Sequence, residues 1–203
     1  SSQIKEAAKS LGFSQAVVLN GLVRGGYILP VYFKGLYYLL DADEKQTKYL
    51  KRKSFEIVAD ICDKKFDKNW YFGLSSALYF NGISHQTPLE LFIITNSHSS
   101  ASFEFSGTAF KIRRSSAKDF LTEVKERGPM RFSSPLRTIT DYIYFYAKEG
   151  KTKYAVETVT SILNACPQAR ERLRNMLMLA KIYPKPYNLA ISKYLRQASG
   201  RNV

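Results

Sequence analysis

The first forty residues constrain this fold more than any other stretch. Residues 3–11 carry Ile4, Ala7, Ala8 and Leu11 at helical spacing, with Ser1 or Ser2 as the candidate N-cap. Gly12 stops that run, and Ser14 can cap a second helix reaching about Arg24. On a helical wheel Ala16, Leu19, Leu22 and Val23 share one face of this second helix. Ser14, Val17, Val18, Asn20, Gly21 and Arg24 share the other. Gly25-Gly26 ends it. Residues 27–31 and 36–40 read as short strands, with Phe33-Lys34-Gly35 as the turn between them. Helix, turn, helix and hairpin in that order predict a winged helix-turn-helix over residues 1–45. That motif lays one helix in the major groove of DNA.

The rest predicts an α+β fold. Residues 41–53 are the most polar stretch and read as a hinge or the exposed start of a helix, after which Phe55, Ile57, Val58, Ile61 and Cys62 continue a helical pattern. Residues 70–81 read as a largely buried helix closed by Asn81-Gly82, and 89–95 as a buried strand. Residues 103–105 and 108–113 alternate as strands around Ser106-Gly107. Residues 117–126 suit a short helix, and 129–133 a strand. Ser134-Pro135 opens a helix to about Lys148, because proline is favoured in a first helical turn. Three further helices follow at 152–165, 168–182 and 186–198. The predicted architecture is thus a winged helix-turn-helix (1–45), a central α+β domain with a small, mostly antiparallel sheet (46–148), and a basic C-terminal helical bundle (149–203).

Charge points to a polyanionic partner. The 203 residues carry a net charge of +14. Residues 151–203 hold ten Lys and Arg against two acids, a surplus of +8, while the head is nearly neutral. A charge run is often only a solvated face. With Glu157 and Glu171 as the sole acids after residue 150, a phosphate-binding face is the better reading. Arg170, Arg174, Lys181 and Lys185 are its candidates. In the head, Asn20 suits adenine edges and Arg24 suits guanine edges or phosphate. Ser14, Gln15 and Val17 lie toward the start of the same helix. Gly21 either lets that helix lie close to DNA or packs on another helix. Lys34 at the wing tip suits phosphate or the minor groove, and Tyr32 and Tyr37 either stack on sugar or brace the wing.

Enzyme chemistry has little support. His85 and His98 form no pair at metal spacing, and Cys62 and Cys166 lie far apart. No P-loop, Gly-x-Gly-x-x-Gly or Gly-x-Ser-x-Gly is present. Gly73-Leu-Ser-Ser matches only the Gly-Ser of nucleotidyltransferases, and no Asp-x-Asp follows it to hold Mg²⁺. No cofactor is expected. No signal peptide or membrane-length apolar run is visible, so a cytoplasmic location is expected.

Three segments together carry a resemblance. They are Lys34-Gly35-Leu36-Tyr37, then Ser76-Ala77-Leu78 with Gly82 ahead of the strand LELFIIT, then Arg137-Thr138-Ile139-Thr140-Asp141 after Pro135. Their order over residues 10–148 resembles the AbiEi-like antitoxins of type IV, abortive-infection toxin–antitoxin systems. Thr140 stands where that family has an aliphatic residue, and Leu136 where an acid is common. The resemblance implies a transcriptional repressor binding repeats in its own promoter on double-stranded DNA. It also implies a nucleotidyltransferase-type toxin as functional partner, with no stable complex required. The alternatives are a metal-dependent nucleic-acid-processing enzyme using acids such as Glu90 and Asp119, or an RNA- or protein-binding module using the basic C-terminal helices. Arg137 and Asp141, one helical turn apart, read first as a structural ion pair.

Overall fold

The computed structural model describes residues 2–97, 100–168 and 172–198. The N-terminal part is a helical pair, α1 (Ser2–Ser10) and α2 (Gln15–Arg24), followed by a hairpin of β1 (Ile28–Pro30) and β2 (Tyr37–Leu39). The hairpin is antiparallel, with Ile28 opposite Leu39 and Pro30 opposite Tyr37. Each helix ends in a six-residue closure. Phe13 N donates to Ala8 O at 3.0 Å, and Tyr27 N to Leu22 O at 2.9 Å. Gly12 (φ +71) and Gly26 (φ +65) take the left-handed position that such closures need.

α3 (Ala42–Thr47) and α4 (Ser54–Phe66) lead into the central sheet. Its strands are β3 (Trp70–Gly73), β4 (Glu90–Thr95), β5 (Ala101–Phe105), β6 (Thr108–Arg114), β7 (Val124–Arg127) and β8 (Met130–Ser133). Their order is β5-β6-β4-β3-β8-β7. The pairs β3–β4, β5–β6 and β7–β8 are antiparallel, and β3–β8 and β4–β6 are parallel. The expected small sheet is therefore six strands wide and mixed. α5 (Leu74–Phe80) follows β3 without a loop, and α6 (Pro135–Lys148), α7 (Thr152–Ala165), α8 (Leu173–Ala180) and α9 (Tyr187–Ala198) complete the chain.

Two elements correct the sequence reading. Residues 70–81 are not one helix but a buried strand, β3, turning directly into α5. The turn is made at Leu74, whose φ is +54. Gly73 lies so close to β4 that a Cβ there would stand 2.6 Å from Ile94 Cγ1. Residues 117–126 are turns running into β7, with Asp119 (φ 37) and Glu123 (φ 60) in conformations that a helix does not use.

Strand alternation sends side chains to two cores. Trp70, Phe72, Leu91, Ile93, Phe110, Ile112 and Phe132 point to one face, covered by Ile57, Val58, Ile61, Cys62 and Phe66 of α4 and by Phe33 from the hairpin tip. Tyr71 and Ile94 point to the other, where Ile139, Ile143, Val159, Ile162, Leu163, Met176, Leu179, Ile191 and Leu195 of α6–α9 cover them. The molecule is thus layered helix, sheet, helix, and the C-terminal helices share a core with the sheet. Among the described residues no helix is long and apolar enough to cross a membrane.

The polar stretch after the hairpin is held by one carboxylate. Asp41 caps α3, and the buried Glu44 closes a capping box with it: Glu44 N donates to Asp41 Oδ1 at 2.9 Å and Asp41 N to Glu44 Oε2 at 3.1 Å. Glu44 Oε1 also accepts from Tyr38 Oη and Lys51 N, both at 2.9 Å. Burial pushes the Glu44 carboxyl up, but the donors from Lys51, Asp41 and Tyr38 outweigh it and hold it below its ordinary 4.5. Burial and the same pairing push the Tyr38 phenol up to about 12. A lowered folded pKa stabilises the fold above the unfolded value, and that contribution is lost as pH falls through the folded one. Glu44→Gln should therefore cost about 1–3 kcal/mol near neutrality. In urea melts the gap to the parent should shrink as the buffer is taken below the carboxylate range. A gap that stays constant down to strong acid would contradict this role.

Candidate nucleic-acid interface

α2 presents an unburied face. Ser14 sits in extended backbone ahead of it, and its Oγ accepts from Val17 N at 3.4 Å. No residue of the helix is buried. Ser14, Val17, Asn20, Gly21 and Arg24 are exposed, with Val17 at 56%, and Gln15 is half-buried. Leu19, Leu22 and Val23 turn partly inward, as the wheel predicts, but Ala16 of the same predicted face is exposed and Val18 of the other is half-buried. A Cβ at Gly21 would meet nothing within 4 Å, so that glycine is not required by packing within this chain. Arg24 enters no ion pair among the described residues. The ten residues of α2 make a rod of about 15 Å, long enough for a major groove roughly 12 Å wide.

Two cations beside this helix were not visible as such in the sequence. Lys45 Nζ lies 3.2 Å from the centroid of the Tyr27 ring, just past the C-terminal end of α2. The side-chain hydrogen bond and charge of Lys45 lower the pKa of that phenol. Lys48 Nζ lies 3.7 Å from where a Cβ on Gly26 would stand. Both come from the polar stretch read as a hinge or the exposed start of a helix, in which α3 forms. Only folding α3 back on the hairpin places them beside Arg24's end of the helix.

The hairpin tip is braced. Tyr32 stacks on Phe103 of β5 with ring centroids 4.9 Å apart and planes at 14°. Phe33 is buried edge-on against Phe66 at 5.3 Å. Tyr32 therefore braces the tip, and Tyr37 is half-buried. Lys34 remains exposed at the turn beside Gly35.

The basic C-terminal residues lie in the opposite layer. Leu173, Met176 and Leu179 of α8 belong to the core on the sheet face away from Phe33. Arg174, Lys181 and Lys185 are exposed and enter no ion pair among the described residues. Arg170 lies outside the described residues, as does His98. The structure thus does not merge this basic group with the face of α2.

The Arg137–Asp141 pair is buried to zero exposure, out of reach of any ligand. Arg137 Nε meets Asp141 Oδ1 at 3.2 Å. Tyr183 Oη donates to the same oxygen at 2.6 Å, and Tyr71 Oη to Oδ2 at 3.0 Å. Arg137 also donates to Tyr71 Oη and to Thr122 O, each at 3.1 Å. Thr140 Oγ1 donates to Arg137 O at 2.9 Å and lies 3.4 Å from Tyr183 Oη, so its hydroxyl is partnered within the network. Burial pushes the Asp141 carboxyl up, and Arg137 and the two phenols draw it part of the way back.

Glu90 faces Lys111 at 3.6 Å, and among the described residues no three His, Cys, Asp or Glu side chains gather as a metal site requires. A scan against models of protein families and a search of curated proteins each find no match for this chain.

Proposed function

We propose that the chain is a DNA-binding transcriptional regulator in which α1, α2 and the β1–β2 hairpin act as a winged helix-turn-helix. The observation that carries this reading is α2 itself: a capped helix with no buried residue, presenting Asn20, Gly21 and Arg24 outward. Asn20 and Arg24 read base edges. Val17 meets a thymine methyl, and the bare surface at Gly21 allows close approach. Lys34, Lys45 and Lys48 take phosphates on either side of the helix. Arg174, Lys181 and Lys185 form a second phosphate-binding face on the opposite layer, serving flanking or bent DNA. The motif order that resembles AbiEi-like antitoxins makes an autorepressor of a toxin–antitoxin pair the specific form of this proposal, with a nucleotidyltransferase-type toxin as functional partner.

A mobility shift on the DNA upstream of the gene, with scrambled competitor, tests the reading. Sequence-specific retention is expected, and equal retention of the scrambled fragment would overturn it. The second face has its own test. Arg174→Ala with Lys181→Ala should weaken binding to all sequences alike. It should also reduce the slope of log K against log salt by about 0.9 for each phosphate that is no longer neutralised. An unaltered slope would remove that face from the interface.

A further inference from the structure

The helical layer of α6–α9 leaves part of the sheet uncovered at the β6–β5 edge. The register places Ser102 opposite Lys111 and Ala101 opposite Ile112. Phe110 and Ile112 fill the core on the α4 side, so Lys111 and Arg113 project on the other face, beside the end of α6. There they border a cleft of about 470 Å³, together with Arg114, Phe145, Lys148 and Glu149. Such a volume falls within the range of small-molecule sites. Four basic residues line it against one carboxylate. Glu149 Oε1 holds Arg113 Nη2 at 2.5 Å, and Lys148 Nζ reaches Arg114 O at 3.3 Å.

A second hollow of about 200 Å³ adjoins it and shares Arg113, Phe145 and Glu149. Its remaining walls are Leu74, Phe92, Tyr142 and Tyr146, so it is largely aromatic. Tyr142 and Tyr146 stack with centroids 5.9 Å apart. Arg113 stands between the two hollows, its guanidinium 5.6 Å from the Phe92 ring and 5.3 Å from the Phe145 ring. A cationic mouth fused to an aromatic pit is complementary to one chemistry: a flat ring system carrying phosphate. Aromatic side chains stack any base, and basic side chains neutralise the phosphate.

We propose that this composite cleft binds a nucleotide, with the base in the Phe92–Tyr142–Tyr146 hollow and the phosphate against Lys111, Lys148 and Arg113. It uses none of the residues assigned above to promoter DNA, so it stands or falls separately from that reading. Glu149 occupies one side of Arg113 and orients it, leaving its remaining donors for the ligand. The nucleotide can be free or can be the 5′-phosphorylated end of a single strand, and both supply the same chemistry.

Calorimetric titration of the full chain tests this with four probes: ATP, GTP, a 5′-phosphorylated dinucleotide and inorganic pyrophosphate. Saturable one-to-one binding is expected for at least one of the first three, tighter than for pyrophosphate. Lys111→Ala with Lys148→Ala should weaken it at least tenfold. Tyr146→Leu should weaken the nucleotide at least tenfold while leaving pyrophosphate unchanged. Lys64→Ala, exposed on α4 across the sheet, should change nothing, which separates the cleft from general attraction to a cationic surface. If only the dinucleotide binds, with the same sensitivities, the source is a nucleic-acid end. Urea melts confirm that each variant is folded. Absence of saturable binding, indifference to the Lys111 and Lys148 substitutions, or pyrophosphate binding as tightly as the nucleotides would each overturn the proposal.

Discussion

Replacing Asp141 by alanine is expected to cost about 3–5 kcal/mol of folding stability, because it strands a buried guanidinium. Arg137 and Asp141 both have zero exposure, and the carboxylate also receives the hydroxyls of Tyr71 and Tyr183. Those groups come from β3, α6 and the segment after α8, with Thr122 O reached from the turn before β7. One carboxylate thus ties the sheet to the helical layer, and its removal leaves three polar groups without their partner in a core that water does not reach. Replacing both charges by apolar residues of similar size, as in Arg137→Met with Asp141→Leu, should recover much of the loss, since a buried pair contributes little net stability over good packing. Urea unfolding of the parent, the single variant and the double variant measures this. A single-variant loss below about 1 kcal/mol would mean that the network behaves like a surface pair.

Arg24→Ala and Asn20→Ala should each weaken specific DNA binding by about 1–3 kcal/mol, roughly 5- to 150-fold. Neither should shift stability by more than about 0.5 kcal/mol, since both side chains are exposed. The contrast with Asp141 is physical. The buried network fails through desolvated charge, whereas the α2 residues fail only where a base edge was to be read. Asn20→Ala should also lower the ratio of specific to scrambled-sequence affinity while leaving the salt dependence alone. A ratio unchanged in both variants would show that α2 does not read bases.

The ends of the helices were legible because Gly12, Gly25-Gly26, Asn81-Gly82 and Pro135 mark chain reversal or initiation locally. The exposed and inward faces of α2 followed from spacing alone except at Ala16, which is exposed, and Val18, which is half-buried. The strand at Trp70 was not legible. Its three aromatic residues run straight into α5, and the change of conformation occurs at Leu74, a residue type that seldom takes a positive φ. The parallel pairings of β3 with β8 and of β4 with β6 join segments far apart in the chain, so no local pattern reports them. Tyr71 and Tyr183 meet Asp141 for the same reason, across separations of 70 and 42 residues. Thr140 gives no local sign of its role, because its partner Tyr183 lies 43 residues away. Lys45 and Lys48 fall in a stretch that reads only as a hinge or the exposed start of a helix, because their place beside α2 depends on the buried Glu44 folding α3 back on the hairpin.

Mapping backbone amide shifts while the protein is titrated with its upstream DNA tests the central claim most directly. The largest changes are expected along residues 14–24, with smaller ones at Lys34, Lys45 and Lys48. Changes confined to other elements, with α2 silent at saturation, would contradict the account and return the basic surface to some other partner.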